Sequence, residues 1–435
     1  LMRRLVLIAG LFPALAGAQI VDGGAPRPIT LDEAIRLAQQ NSPSTISARN
    51  TVNANEATVR TRLSAFLPTI SASAGASRQG GRTFFQGELV PYRGDPWSYN
   101  RGISASLNLF DGGDRLYQLQ AAKANVTSAE ANERAQRYAV ALSVAQQYYA
   151  ALAARENRAA AEAALREAEQ NLRTAVSRIA AGVATRSDSL RAVIQVGNQR
   201  LALLTAENDL ANANAALTRL VGTQYLVTPV EADTGQVEPI RADSAALAAM
   251  LDQAPAVLAA QAAVTAARAS VRSSRTAYFP TLSMSYSMSG SNTSPKFDWG
   301  SGPFSQSNSM RFSISIPIFQ GLGREESVLR ASIAEMNALA QLRDAKLLAQ
   351  QQLVQYLGQL RLAQARLEIQ QASLAAAMED LRVQQQRYEL GTSTQLELLT
   401  TQTQLNNARF QLVNARYQVR IARAQLEALL GRELR

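Results

Sequence analysis

Apolar residues recur at alternating steps of three and four along two stretches of this 435-residue chain. Val196, Leu203, Leu210 and Leu217 repeat every seventh position, with Ala206, Ala213 and Leu220 between and after them. Leu405, Leu412, Val419 and Leu426 do the same, accompanied by Ala415, Ala422 and Leu429. Such a seam is the stripe by which helices pack as coiled coils, and alanine at alternate positions lets the helices approach closely. Upstream of the first seam an unbroken helical pattern runs from about Asp114 to Ala181, ends at a glycine-marked turn, and resumes to Val221. Nearly seventy residues of helix reach roughly 100 Å at 1.5 Å per residue. A shorter helix is predicted from Thr30, which has capping-box spacing to Glu33. It breaks at Pro43, and a further helical stretch follows to about Ala65. The same order of elements returns from about Asp243 to Leu430.

Four short segments change the period from helical to two. Leu282, Met284, Tyr286 and Met288 alternate with serines, and Phe312, Ile314, Ile316 and Ile318 alternate with Arg311, Ser313, Ser315 and Pro317. Ile103, Ala105, Leu107 and Leu109 alternate with Ser104, Ser106 and Asn108, and Ile70 to Ala76 alternates with smaller groups. The predicted strands are about 68–77, 101–110, 281–290 and 310–319. One apolar and one small polar face fits a strand with lipid on one side and water on the other, at the length that crosses an outer membrane. Open strand edges are not tolerated in hydrocarbon, and known barrels begin at about eight strands. Four strands cannot close, so copies must share a wall, giving eight strands from two chains or twelve from three. The connections Gln79–Asn100 and Ser291–Ser309 carry both tryptophans, Trp97 and Trp299, and are expected at the outer face.

The two runs are halves of a duplication. Ala65-Phe66-Leu67-Pro68-Thr69 returns as Ala277-Tyr278-Phe279-Pro280-Thr281. Further on, Phe110 pairs with Phe319, Arg178 with Arg387, Gly182 with Gly391, Thr185 with Thr394 and Gly222 with Gly431. Residues 19–222 are thus expected to form a first structural repeat, 223–240 a linking segment and 241–435 a second repeat. Residues 1–18 have the charged, apolar and small-residue sections of a secretory signal peptide, with Arg3 and Arg4 before the run Leu5–Leu15 and then Ala16-Gly17-Ala18. Export is expected, without a lipid on a processed cysteine.

Composition removes much of enzymology. The chain has no Cys and no His, which excludes disulfides, thiolate or imidazole zinc sites and histidine acid–base chemistry. No catalytic residue, cofactor site or metal site is expected; Glu325-Glu326 follows a turn and reads as a first-turn helix pair. The net charge of +10 is carried by Arg dispersed among Glu and Gln, a solvated face rather than a nucleic-acid patch.

The duplication, the Phe-Leu-Pro-Thr and Tyr-Phe-Pro-Thr segments, Leu109-Phe110-Asp111-Gly112-Gly113 before a long helix, and the turns at Gly182 and Gly391 resemble the TolC-type outer membrane efflux proteins. The resemblance covers Thr30 to Gly431. It implies a fold that is mainly α with membrane β: internally duplicated coiled-coil hairpins and four transmembrane strands per chain. Three chains would form a twelve-stranded β-barrel continuous with a twelve-helix periplasmic tunnel, with 223–240 in a band at its equator. It implies a homotrimer in outer membrane lipid, serving as passive exit duct of a tripartite efflux pump or type I secretion system. Partners would be a periplasmic adaptor (membrane fusion protein) and an inner-membrane pump of RND, ABC or MFS type. An exported structural or adhesive coiled-coil protein is the alternative of another class.

The same resemblance nominates gate residues at the periplasmic end. Asp188 would bond Tyr388 to hold the inner helices closed, and Glu397 would belong to an acidic ring. A second ring acid falls on Thr400 and a gate arginine on Ser393, so a less acidic entrance and a differently built lock are expected. Gly182, Val183, Ala184 and Thr185, with Gly391, Thr392, Ser393 and Thr394, would form the hairpin tips that meet the adaptor. From spacing alone Asp188 and Glu397 read as capping-box acids to Thr185 and Thr394.

Overall fold

The computed structural model describes residues 26–85, 87–91, 94–182, 185–230, 244–298, 300–432 and 434. The signal peptide at 1–18, most of the linking segment 223–240, and Val183, Ala184 and Trp299 lie outside the described residues. In chain order the elements are β1 (Arg27–Ile29), α1 (Leu31–Asn41), α2 (Pro43–Ser64), β2 (Thr69–Arg78), β3 (Arg82–Phe85), β4 (Glu88–Pro91), β5 (Trp97–Phe110), α3 (Asp114–Ala180) and α4 (Arg186–Val221). They continue as β6 (Val227–Pro229), α5 (Ser244–Met250), α6 (Pro255–Arg275), β7 (Thr281–Ser294), β8 (Ser305–Ser315), α7 (Gly323–Glu389) and α8 (Gln395–Leu430). Two compact units cut across the duplication, each assembled from three separate stretches of chain. Among the described residues no single helix is long and apolar enough to cross a membrane.

The first unit holds residues 139–239 and 358–425, together with the chain up to Ser42. Thr30 caps α1 as its spacing predicts, its hydroxyl accepting the Glu33 amide at 3.4 Å. β1 and β6 pair in parallel, Arg27 opposite Val227 and Ile29 opposite Pro229. The buried Tyr148 hydroxyl lies between the carbonyls of Ile29 (3.0 Å) and Val230 (2.5 Å), tying both strands to α3. Ile29, Ala38, Val144, Leu152, Leu217, Val221 and Val227 close a core around it. α3 bonds α4 through Gln147 to the Ala213 carbonyl (3.1 Å), and bonds α8 through Glu156 to Tyr417 and Glu167 to Gln402 (3.3 Å). α7 packs on α8 through Leu381, Leu398 and Leu405. The heptad seam turns inward: Leu217, Leu405 and Val419 are buried, and Val196, Leu203, Leu210 and Leu412 are half-buried. Each fully buried leucine contributes about 1.5–3 kcal/mol.

The second unit holds residues 43–138, 240–357 and 426–435. Its sheet runs β2-β5-β7-β8, all neighbours antiparallel. Register places the serines on one face: Ser71 and Ser104 hydroxyls meet at 2.8 Å, Ser77 and Ser98 at 2.7 Å, Ser287 and Ser309 at 2.9 Å, and Ser289 and Ser307 at 3.0 Å. The other face carries Ile103 opposite Met288, Met284 opposite Phe312 and Leu282 opposite Ile314. β2 and β8 are the free edges of this described sheet.

Three of the four strands differ from expectation at an end, β7 running on to Ser294 rather than stopping near 290. The fourth of the expected strands covers Ser305–Ser315, not 310–319. Pro317 has no amide hydrogen for the ladder, and Arg324 takes the carbonyls of Pro317 and Ile318 at 2.9 and 3.0 Å instead. β5 begins at Trp97, so this residue lies in a strand rather than in the connection, its ring 4.7 Å from that of Phe297. The connection also contains the short antiparallel hairpin β3–β4, too brief to leave an alternation in the sequence. At the end of β5, Asp111 accepts the Gly113 amide (3.1 Å) and pairs with Arg115 (2.6 Å). Gly112, at φ 68°, stands against Phe279 and Thr276, where a Cβ would meet them at 2.8 to 3.3 Å.

Candidate gate at the helix-hairpin tips

The two hairpins of the first unit, α3–α4 and α7–α8, end in matched turns. Gly182 (φ 75°) and Gly391 (φ 74°) take the left-handed conformation that ends a helix without a Cβ clash. Neither glycine has another atom within 4 Å of where a Cβ would stand, so backbone angle and not space selects glycine there. The Gly182 amide donates to the Ile179 carbonyl at 2.9 Å, and the Thr392 amide to that of Arg387 at 2.9 Å.

Each returning helix starts on a reciprocal cap. Thr185 accepts the Asp188 amide (3.4 Å), while the Asp188 carboxylate accepts the Thr185 amide (3.0 Å) and hydroxyl (2.7 Å). Thr185's hydroxyl and amide, helped by Arg191 and Arg178 nearby, hold the Asp188 carboxyl below its ordinary value. In the second hairpin the Glu397 carboxylate accepts from Ser393 (2.6 Å) and from the Thr394 amide (3.2 Å), while its own amide donates to Thr394 (3.3 Å). Ser393 first, then the Thr394 amide and Arg387, hold Glu397 below its ordinary value as well. Thr400 turns its hydroxyl back to the Leu396 carbonyl at 2.9 Å.

Asp188 and Tyr388 share no described hydrogen bond: the carboxylate's partners all belong to Thr185, and what the two residues have in common is Arg178 nearby. Tyr388 is held by Arg178 instead. The guanidinium lies over its ring, 4.6 Å from the centroid, and donates to its carbonyl at 3.3 Å. Arg178 ends α3 and Tyr388 ends α7, so this contact pins one hairpin to the other. Tyr388 packs in turn on Leu381, Leu398 and Leu405. Sequence reasoning missed Arg178 as a partner; its signal was its repeat position opposite Arg387. Among the described residues no three acidic side chains gather as a metal site. The arrangement, a stack and two charged caps, is suited to holding helices.

Two apolar stripes in this unit stay uncovered. On α4, Leu190, Ile194, Leu201 and Leu204 are 54–66% exposed. On α7, Leu362 and Ile369 are 54% and 60% exposed; Val383 stands two seven-residue steps on, past Ala376, and Leu390 one further step, just beyond the helix end.

Known proteins share this architecture. A family model described as outer membrane efflux protein matches residues 34–223 and 246–432. Protein CyaE of Bordetella pertussis is 30% identical over 387 residues, 85% of this chain and 77% of that protein. The pyoverdine export outer membrane protein OpmQ of Pseudomonas aeruginosa is 28% identical over 383 residues, 87% and 79% of the two chains. The CmeC outer membrane channel of Campylobacter jejuni superposes with a TM-score of 0.78 at 18% identity, covering 99% of this chain and 94% of that one. That last likeness shows the fold.

Proposed function

The chain belongs to the outer membrane efflux protein family, with an outer membrane seat and a large periplasmic portion, and from that premise we propose that three copies form a passive exit duct. It serves efflux or secretion. The observation that carries the reading is the open four-stranded sheet, apolar on one face and lined with serine on the other, with free edges at β2 and β8. Hydrocarbon tolerates no such edge, so β8 of one copy pairs with β2 of the next until twelve strands close. The stripes on α4 and α7 support the same count of contacts: each needs a cover, and the stripe of a neighbouring copy has matching period. The helices of the three copies then make a twelve-helix tunnel continuous with the barrel.

The gate is the set of hairpin tips. Arg178 on Tyr388 holds each copy's two hairpins together, while Asp188 and Glu397 stiffen the helix starts behind the turns. Gly182 to Thr185 and Gly391 to Thr394 meet a periplasmic adaptor, helped by Leu390, 78% exposed beside its turn. Adaptor contact favours the spread state, and an inner-membrane pump supplies the energy. The duct itself catalyses nothing. Reconstitution in planar bilayers tests the reading: a detergent-purified trimer should conduct weakly, and Arg178→Ala should raise the current. A trimer silent in both forms would favour the structural or adhesive alternative.

A further inference from the structure

Among the described strand residues the serine face of the sheet carries a single charged side chain, Arg311, while the Asp95 carboxylate reaches the far end of that face, where the Thr293 hydroxyl donates to it at 3.3 Å. Across one transverse row the register sets Thr69 beside Ser106, Ser106 beside Ser285, and Ser285 beside Arg311. Arg311 shares its face with Ser309 and Ser307, whose hydroxyls meet those of Ser287 and Ser289 across the strand pair. Every other described strand position on that face is Ser, Thr, Asn or Gly. Arg101 belongs to the opposite, apolar face, where its guanidinium lies 4.0 Å over the Phe304 ring. Arg311 is exposed, and among the described residues no carboxylate pairs with it and no hydrogen bond holds it.

We propose that Arg311 is the charge filter of the barrel, selecting anionic solutes such as those bearing carboxylate or phosphate groups over cationic ones. The inference rests on the proposed duct of three copies. There the row closes into a ring of three guanidiniums facing water, with hydroxyl-bearing side chains on either side; Asp95, held at Thr293 eight residues along β7 from Ser285, lies roughly 26 Å off at about 3.3 Å per residue, beyond a Debye length. A guanidinium is always protonated, and rings of Arg or Lys are the means by which pores attract anions and turn cations away. Like charges keep the three side chains apart, so the ring stays open rather than collapsing on itself. The acids at the hairpin tips are engaged in capping their own helices.

The test is the chloride-to-potassium permeability ratio of the reconstituted full-chain trimer, from reversal potentials under a KCl gradient. Arg311→Ser makes the face uniform, Arg311→Lys keeps the charge and Arg311→Glu inverts it; Arg311→Gln serves if the serine variant assembles poorly. All are measured with and without Arg178→Ala, so that a closed gate does not hide the barrel. At about 0.1 M salt the serine variant should lose roughly sevenfold in the chloride-to-potassium ratio, one kT of potential enriching chloride and depleting potassium by a factor of about e each. The lysine variant should match the parent, the glutamate variant should favour potassium, and at about 1 M salt the differences should shrink with the Debye length. Channels that conduct with one ratio in all variants at low salt overturn the filter and leave the duct standing. Trimers that never conduct overturn the duct, and the filter with it.

Discussion

A carboxylate at the start of a helix can serve its own helix or a neighbour, and Asp188 serves its own. With two donors from Thr185 on one oxygen, it stabilises the turn while ionised. Its folded value lies below the ordinary one, so this contribution is complete above the ordinary carboxylate range and is lost as pH falls through the lowered value. The protection of amides in the first turn of α4, exchange being taken relative to its intrinsic rate at each pH, should therefore hold from neutrality down to about pH 5 and fall below about pH 4. Thr185→Ala should cost about 1 kcal/mol and speed that exchange at neutral pH; an unchanged rate would deny the cap its role. Arg178 and Tyr388 give a sharper contrast. The contacts use the ring and the carbonyl of Tyr388, not its hydroxyl. Tyr388→Phe should leave single-channel current near the parent's. Tyr388→Ala should raise it partway, and Arg178→Ala should shift the closed-to-open balance by about 1–2 kcal/mol, roughly tenfold. A large effect of Tyr388→Phe would instead restore the hydroxyl lock. The caps were legible in the sequence because donor and acceptor lie three residues apart. The Arg178 contact spans 210 residues, and no local pattern encodes it.

Helices show the same division. The buried seam through Leu217, Leu405 and Val419 was legible because a heptad leaves its period in the sequence. α4 and α7 carry a second apolar stripe of the same period, and a helix apolar on two faces has no sequence signal saying which face its own chain covers. The structure settles that for the single chain, leaving Leu201 66% and Ile369 60% exposed. Leu201→Asp or Ile369→Asp should leave helix content unchanged by circular dichroism but convert the trimer to smaller species on native mass spectrometry. A stable trimer would mean the stripes face elsewhere. Strand ends were read less well than strand centres: alternation continues through Ile316 and Ile318, while the Pro317 ring and Arg324 stop the ladder at Ser315. Glycines also divide by context. Gly182→Ala meets only an unfavourable φ, about 1 kcal/mol, whereas Gly431→Ala would drive a Cβ to 2.5 Å from the Pro255 ring. The second variant should lower the yield of folded protein well below the first.

At the scale of the molecule, the sequence left two closures open, eight strands from two chains or twelve from three, and one chain's structure does not choose between them. The fold was legible because duplication, heptads and alternation are all periodic; stoichiometry is not, since it depends on the angle at which one copy's edge meets the next. Counting resolves it. If tagged and untagged chains are mixed before folding, a closed assembly of n copies gives n plus one species on a native gel, because closed symmetry admits every composition. Three copies give four bands and two copies give three. The same physics makes a second demand on the gel. An incomplete ring would leave β2 and β8 edges in hydrocarbon, where each unpaired backbone group costs several kcal/mol. Membrane-extracted protein should therefore run as complete rings, without a ladder of one- and two-copy forms. Three bands would mean an eight-stranded ring of two copies, and a persistent ladder would mean that the wall closes by some contact other than β8 against β2.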